Sequence, residues 1–231
     1  MMFSHRSLMS ILSCRAKLKN SERNVTDVIF FGRLNGEIHV LLRWDFYAEK
    51  YQMISGGTDG YETASPEDRA RAVVARRFSD IPAYRFDYHP MIRFRTRHFS
   101  AGSMDGDPVL REYDVEVQVA TPRDPEEKDF REFVRAVNAS TVMSVENFWG
   151  ISRQQSGDLV WCRWCRLDEL LRSPGAYRGR EVRGFSEILS RAGRNAFDVY
   201  LSRAICLEAE DVEEDGTTDR LAARVKEKMK G

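Results

Sequence analysis

The residues best placed to do chemistry lie in one stretch of this 231-residue chain, from Tyr51 to Arg77. Gly56-Gly57 allows the backbone close approach to a ligand. Glu62, Glu67 and Asp68 are oxygen donors of the kind a hard cation such as Mg²⁺ requires. Arg69, Arg76 and Arg77 are guanidiniums, which meet phosphate as charge-assisted, bidentate donors. The stretch therefore offers two chemistries, a carboxylate-held metal or a direct arginine grip on an anion. Ser65-Pro66-Glu67-Asp68 has a bland function as well: a serine N-cap, a proline at the first helical position and acidic residues in the first turn start a helix.

Other candidates carry less. Cys162-Arg163-Trp164-Cys165 is half a zinc motif without a second half, and in a strand its two thiols face opposite sides. His39, His89 and His98 sit in strand-like runs with no Ser or Cys nucleophile beside them. Ser55 lacks the context of a nucleophile elbow, and Asp105-Gly106-Asp107 reads as a turn.

The elements that must position these residues follow from apolar periodicity. Val28 to Phe31 and Ile38 to Leu42 are strands joined by Asn35-Gly36, a strong signal for a two-residue hairpin turn. A short strand, Tyr51 to Ile54, leads into Gly56-Gly57. The capped helix runs to about Phe78 with Ala70, Val73, Val74 and Phe78 on one face. Ile92, Phe94, Thr96 and His98 alternate with Arg93, Arg95 and Arg97. On the next strand Tyr113, Val115, Val117 and Val119 alternate with Glu112, Asp114, Glu116 and Gln118. Opposite-charge pairing across the two strands accounts for both polar rows. Further helices are expected over 125–137, from Ser144 and over 195–207, with a strand over 159–164 and a helical turn at Leu167 to Leu171.

Thirty-six basic and thirty-six acidic residues give a net charge of zero, which excludes a general polyanion binder, and 42% hydrophobic content excludes a disordered chain. No apolar run approaches the roughly 20 residues that span a bilayer. Residues 1–24, with Arg6, Arg15, Lys17, Lys19 and Arg23 among serines, form a basic leader. It is compatible with a mitochondrial transit peptide, with the cytoplasm as the default compartment. Residues 25–207 form the domain, and 208–231 a charged tail, helical but outside the core. The class is α+β.

The order hairpin, short strand, Gly56-Gly57, capped helix, long β-pair and Trp164-Cys-Arg-Leu-Asp-Glu-Leu170 resembles the Nudix superfamily. The resemblance implies an α/β/α sandwich around a mixed β-sheet and a helix whose glutamates hold Mg²⁺ against the diphosphate of a nucleoside-diphosphate-linked substrate. This chain departs from that pattern at the metal-holding positions, where Val73, Arg76 and Arg77 replace glutamates. At about 4 Å and an effective dielectric of about 20, each guanidinium would oppose a dication by about 8 kcal/mol before screening. The expectation is therefore a Nudix-like domain with a degenerate box, no bound metal and no metal-dependent hydrolysis. Its partner would be a nucleotide or phosphorylated small molecule at Gly56, Gly57, Arg69, Arg76 and Arg77, or a protein that it regulates or scaffolds; neither membrane nor nucleic acid is expected. The alternative is a divergent Mg²⁺-dependent diphosphatase using Glu62, Glu67 and Asp68, with Glu112 or Glu116.

Overall fold

The computed structural model describes residues 22–46, 48–58, 60–61, 63–78, 85–100, 109–124, 126–146, 160–212 and 216–230. The expected metal ligand Glu62, the Asp105–Asp107 turn and most of the expected leader lie outside these residues. The leader's last part does not behave as a leader. Glu22 to Asn24 already belong to the first strand, β1 (Glu22–Leu34).

Among the described residues a mixed sheet of ten strands forms the centre, in the order β5-β6-β1-β2-β3-β9-β8, with β4 and β10 also on β1 and β7 on β2. These strands are β2 (Glu37–Asp45), β3 (Lys50–Gln52), β4 (Ile54–Gly57), β5 (Phe86–Ser100), β6 (Val109–Pro122), β7 (Trp161–Arg166), β8 (Ala176–Tyr177), β9 (Arg180–Arg183) and β10 (Ile205–Cys206). The β1–β2 hairpin turns at Asn35 (φ 50°) and Gly36 (φ 83°), the two positive φ values that a type I′ turn needs. β1 is long enough to serve two sets of partners. Val25 to Val28 pair with β4, and Phe31 to Leu34 pair with β2.

Both faces of β1 are buried, which explains why its apolar run is nearly continuous. Val28 and Phe30 face one layer, where α1 (Pro66–Arg77) and the first part of α2 (Lys128–Glu146) contribute Ala70, Val73, Val74, Phe130 and Val134. Ile29 and Phe31 face the other. There α3 (Leu167–Arg172), α4 (Phe185–Ala192) and α6 (Thr217–Lys230) contribute Leu170, Phe185, Ile188 and Leu221. This is the expected α/β/α sandwich. Cys162 packs in the first layer and Cys165 in the second, as residues three apart on a strand must.

Three expectations are corrected. The segment 195–207 is not one helix: a 3₁₀ turn (Arg194–Ala196), a short α5 (Asp198–Leu201) and β10 share it, because Ile205 and Cys206 are taken up by pairing with β1. Helix α2 starts and ends later than expected, running to Glu146. The tail is not outside the core. Leu221, Ala222 and Val225 of α6 are 3–4% exposed, and Thr218 accepts a hydrogen bond from the Tyr51 hydroxyl at 3.2 Å. Among the described residues no helix is long and apolar enough to cross a membrane.

Candidate functional site

Helix α1 begins as its sequence dictates. The Ser65 hydroxyl oxygen accepts from the Asp68 amide at 3.1 Å and its proton goes to the Asp68 carboxylate at 2.7 Å. Glu67 and Asp68 are both paired with Arg71, at 2.7 and 2.8 Å. Glu67 and Asp68, both considered for a metal, therefore cap and brace a helix end. Among the described residues no group of His, Cys, Asp and Glu is arranged to hold a metal ion.

The arginines divide. Arg69 points inward, donating from Nε and Nη2 to Glu116 at 2.9 and 2.7 Å and from Nη1 to the Ala64 carbonyl. The two side chains are only 15% and 13% exposed, so Arg69 is a structural cation and Glu116 its counter-ion. A polar depression beside them, lined by Asn24, Thr58, Arg69, Arg93, Asp114 and Glu116, is crossed by this pair and by Arg93–Asp114. Glu112 is likewise met by Arg97. Arg76 and Arg77 reach back from the surface to β4, the Arg77 guanidinium partly covered: Arg76 donates to the Gly57 carbonyl and Arg77 Nε to the Ser55 carbonyl at 2.6 Å. They thereby satisfy acceptors of a short strand that pairs on its other side with β1.

Val73 lies over Gly56. A Cβ built on Gly56 would stand 3.1 Å from a Val73 methyl, so the glycine permits close helix–strand packing. Gly56 is thus spent on packing against α1. Gly57 lends its carbonyl to Arg76.

The cleft that the sequence does not announce lies on the opposite face of β4. Its volume is about 200 Å³, and Phe94, Tyr113, Met53 and Val115 form apolar walls around Asp27, Ser55, Thr96, Arg183 and Glu187. Asp27, 8% exposed, is the floor. Burial pushes its carboxyl up to about 6; the Ser55 hydroxyl hydrogen bond and the Arg183 charge pull it down, and Glu187 adds to the rise. Glu187 is held by the Thr96 hydroxyl at 3.0 Å and by Arg191 at 3.2 Å. Gly184, with φ 91°, turns the chain from β9 into α4, and a Cβ built on it would stand 3.9 Å from an Asp27 carboxylate oxygen. A side chain there would crowd Met53.

The element order, the two-faced mixed sheet and the β4–loop–α1 placement match the arrangement that the sequence resemblance implies. The fold is an α/β/α sandwich around a mixed sheet, the arrangement implied by the resemblance to Nudix proteins. No protein-family model and no curated protein matches the sequence. Among solved structures the chain is similar to Shewanella oneidensis NrtR, at 11% identity over 88% of this chain and 83% of that one, with a TM-score of 0.44. It is also similar to a MutT/nudix family protein from Enterococcus faecalis, at 11% identity over 97% and 80% with a TM-score of 0.40. A third is C. elegans Ap4A hydrolase, at 12% identity over 78% and 98% with a TM-score of 0.37. Likeness at this level assigns no residue and no activity.

Proposed function

We propose that this Nudix-like chain is a metal-independent binding module for a small phosphorylated ligand of the nucleotide class, seated in the cleft over Asp27. The observation that carries the reading is the cleft itself. A buried carboxyl, a hydroxyl and a guanidinium converge between aromatic walls, the combination that orients a planar polar ring. At about 200 Å³ the cleft admits one ring system and not a whole dinucleotide. Asp27 and Ser55 would read the ring edge. No carboxylate lies within ion-pair distance of Arg183 among the described residues, which leaves its donors for the sugar or phosphate. Asp27 also speaks for a ligand role, since a buried carboxyl with a raised pKa detracts from stability and such groups concentrate at functional sites.

Hydrolysis in the manner of the Nudix resemblance is not part of this reading. Val73, Arg76 and Arg77 occupy the helix positions where carboxylates would be needed, and Glu67, Asp68 and Glu116 are already paired. The test is thermal stabilisation by a panel of nucleotides and nucleotide sugars, in EDTA and in Mg²⁺. The expected result is a rise in Tm that EDTA leaves unchanged and that Arg183→Gln abolishes without loss of fold. Stabilisation only with Mg²⁺, accompanied by phosphate release, would establish the hydrolase instead. Silence toward every nucleotide would refute the binding module and leave a protein scaffold.

A further inference from the structure

We propose that Arg43, Arg76 and Arg77 form an anion site, separate from the cleft, that takes a phosphate or pyrophosphate group, free or carried on a larger molecule. Arg43 is in β2, opposite Gln52 of β3 and Cys162 of β7. Two residues earlier Leu41 packs in the layer under α1 with Val73, Val74 and Cys162, so strand alternation sends Arg43 to that same face. It lies there near the C-terminal end of α1, which carries Arg76 and Arg77. Three guanidiniums from two distant segments thus gather beside β4.

What distinguishes this group is that three guanidiniums without a counter-ion lie close enough to act on one another. Arg69, Arg71, Arg85, Arg93, Arg97 and Arg123 each meet a carboxylate within 4.0 Å. Among the described residues no carboxylate pairs with Arg43, Arg76 or Arg77. Arg43 Nε is closed off from solvent and has no hydrogen-bond partner. Burying such a donor unmet is costly, and an occupying anion would remove the cost. The pKa of Arg77 is lowered, by partial burial first and then by the charges of Arg43 and Arg76, which records the mutual repulsion.

The negative end of α1 does not balance the group. A helix C-terminus is equivalent to about half an elementary charge, against three full positive ones. Arg77 anchors Nε on the Ser55 carbonyl, and Arg76 anchors Nη2 on the Gly57 carbonyl and Nε on the Ala72 carbonyl; this fixes the plane of each guanidinium and leaves the remaining N–H donors for a ligand. Arg76 also lies 5.6 Å from the centre of the Tyr61 ring, a second restraint on its position. Pre-orientation of this kind lowers the ordering cost of binding. A tetrahedral oxyanion matches forked donors, and phosphate carries more charge than a carboxylate.

The experiment measures binding of inorganic phosphate, pyrophosphate and ADP in EDTA by calorimetry, with chloride at matched ionic strength as the reference. The expected result is saturable phosphate or pyrophosphate binding that weakens about tenfold or more in Arg43→Gln and again in Arg77→Gln. Arg123→Gln, which removes a surface guanidinium elsewhere, should bind as the wild type does. In the Arg183→Gln background, where the cleft is disabled, ADP binding tighter than inorganic phosphate would assign the group to a phosphate carried on a nucleotide, and equal binding would assign it to the free anion. A second readout covers variants that fold poorly. Without phosphate, Arg43→Gln should be as stable as the wild type or more so, because it relieves repulsion and removes the unmet donor. Phosphate binding no better than chloride would overturn the proposal. So would undiminished binding in Arg43→Gln, or an Arg43→Gln protein destabilised in the absence of anion. Loss of nucleotide binding in Arg183→Gln with inorganic phosphate binding intact would separate this site from the cleft.

Discussion

Replacing Asp27 by asparagine removes a charge from the floor of the cleft with almost no change in shape. In the folded protein this carboxyl rises from its ordinary 3.8 to about 6. At about 1.4 kcal/mol per pH unit, the rise corresponds to about 3 kcal/mol of burial cost in the ionised form. The sign follows from proton binding. Between pH 3.8 and about 6 the folded chain keeps a proton that the unfolded chain has released. The contribution of Asp27 to stability is therefore greatest below pH 3.8, falls as pH rises through this window, and stays at its low value above it. Asp27→Asn has no such titration, and its amide oxygen can still accept from Ser55. Urea unfolding should thus find Asp27→Asn more stable than the wild type by up to about 3 kcal/mol at pH 8, with the gap closing toward pH 4. For a chain of this size that is roughly 6–12 °C in Tm. Equal or lower stability at pH 8, or a gap that does not close on acidification, would refute the assignment of Asp27 as a buried, strained carboxyl. The same variant should lose ligand affinity if Asp27 reads the ring edge, so stability and binding would move in opposite directions.

Three further outcomes test the packing. Arg69→Met strands Glu116 at 13% exposure and should destabilise by about 3 kcal/mol; adding Glu116→Gln should recover part of it, as a double-mutant cycle in urea would read. Gly32→Ala would place a Cβ 2.5 Å from Leu207 Cδ1 and should cost about 1–3 kcal/mol; combining it with Leu207→Ala should show less than additive loss. Ending the chain at Val212 removes α6 and uncovers the Tyr51 hydroxyl and the surface under Leu221 and Val225. The expected loss is at least about 3 kcal/mol, visible as a lower Tm.

The parts legible from sequence are those in which neighbouring residues decide the outcome. Asn35-Gly36 can adopt two positive φ values, and the hairpin follows. Ser65-Pro66 caps α1 through contacts three residues away. Arg93, Arg95 and Arg97 fall opposite Glu116, Asp114 and Glu112 because strand alternation places them so. One correction lies in the pairing detail. Arg93 reaches diagonally to Asp114, while Glu116 turns to Arg69 on a helix 47 residues away.

The cleft was not legible. Asp27 stands in the run Val25-Thr26-Asp27-Val28, where a carboxylate interrupting an apolar strand was the one available signal. Its companions come from β4, β9 and α4, and no spacing along the chain connects them. α6 was obscured differently, since its charged composition outweighs the few buried positions Leu221, Ala222 and Val225. Arg43 gave no hint either, because one arginine in a strand is ordinarily a solvated side chain.

By itself the sequence determined the turn, the helix cap, the alternation of the β-pair and the absence of carboxylates from α1 beyond its first turn. Each rests on backbone torsion, local hydrogen bonding or residue identity. Only the tertiary structure decided which charges are neutralised and which are not. It spends Arg69 on Glu116, brings Arg43 beside Arg76 and Arg77 without a counter-ion, and buries Asp27 beneath an aromatic cleft. Burial and Coulomb interaction depend on distance through space, and a chain balanced at thirty-six against thirty-six can fold with its charges locally unpaired.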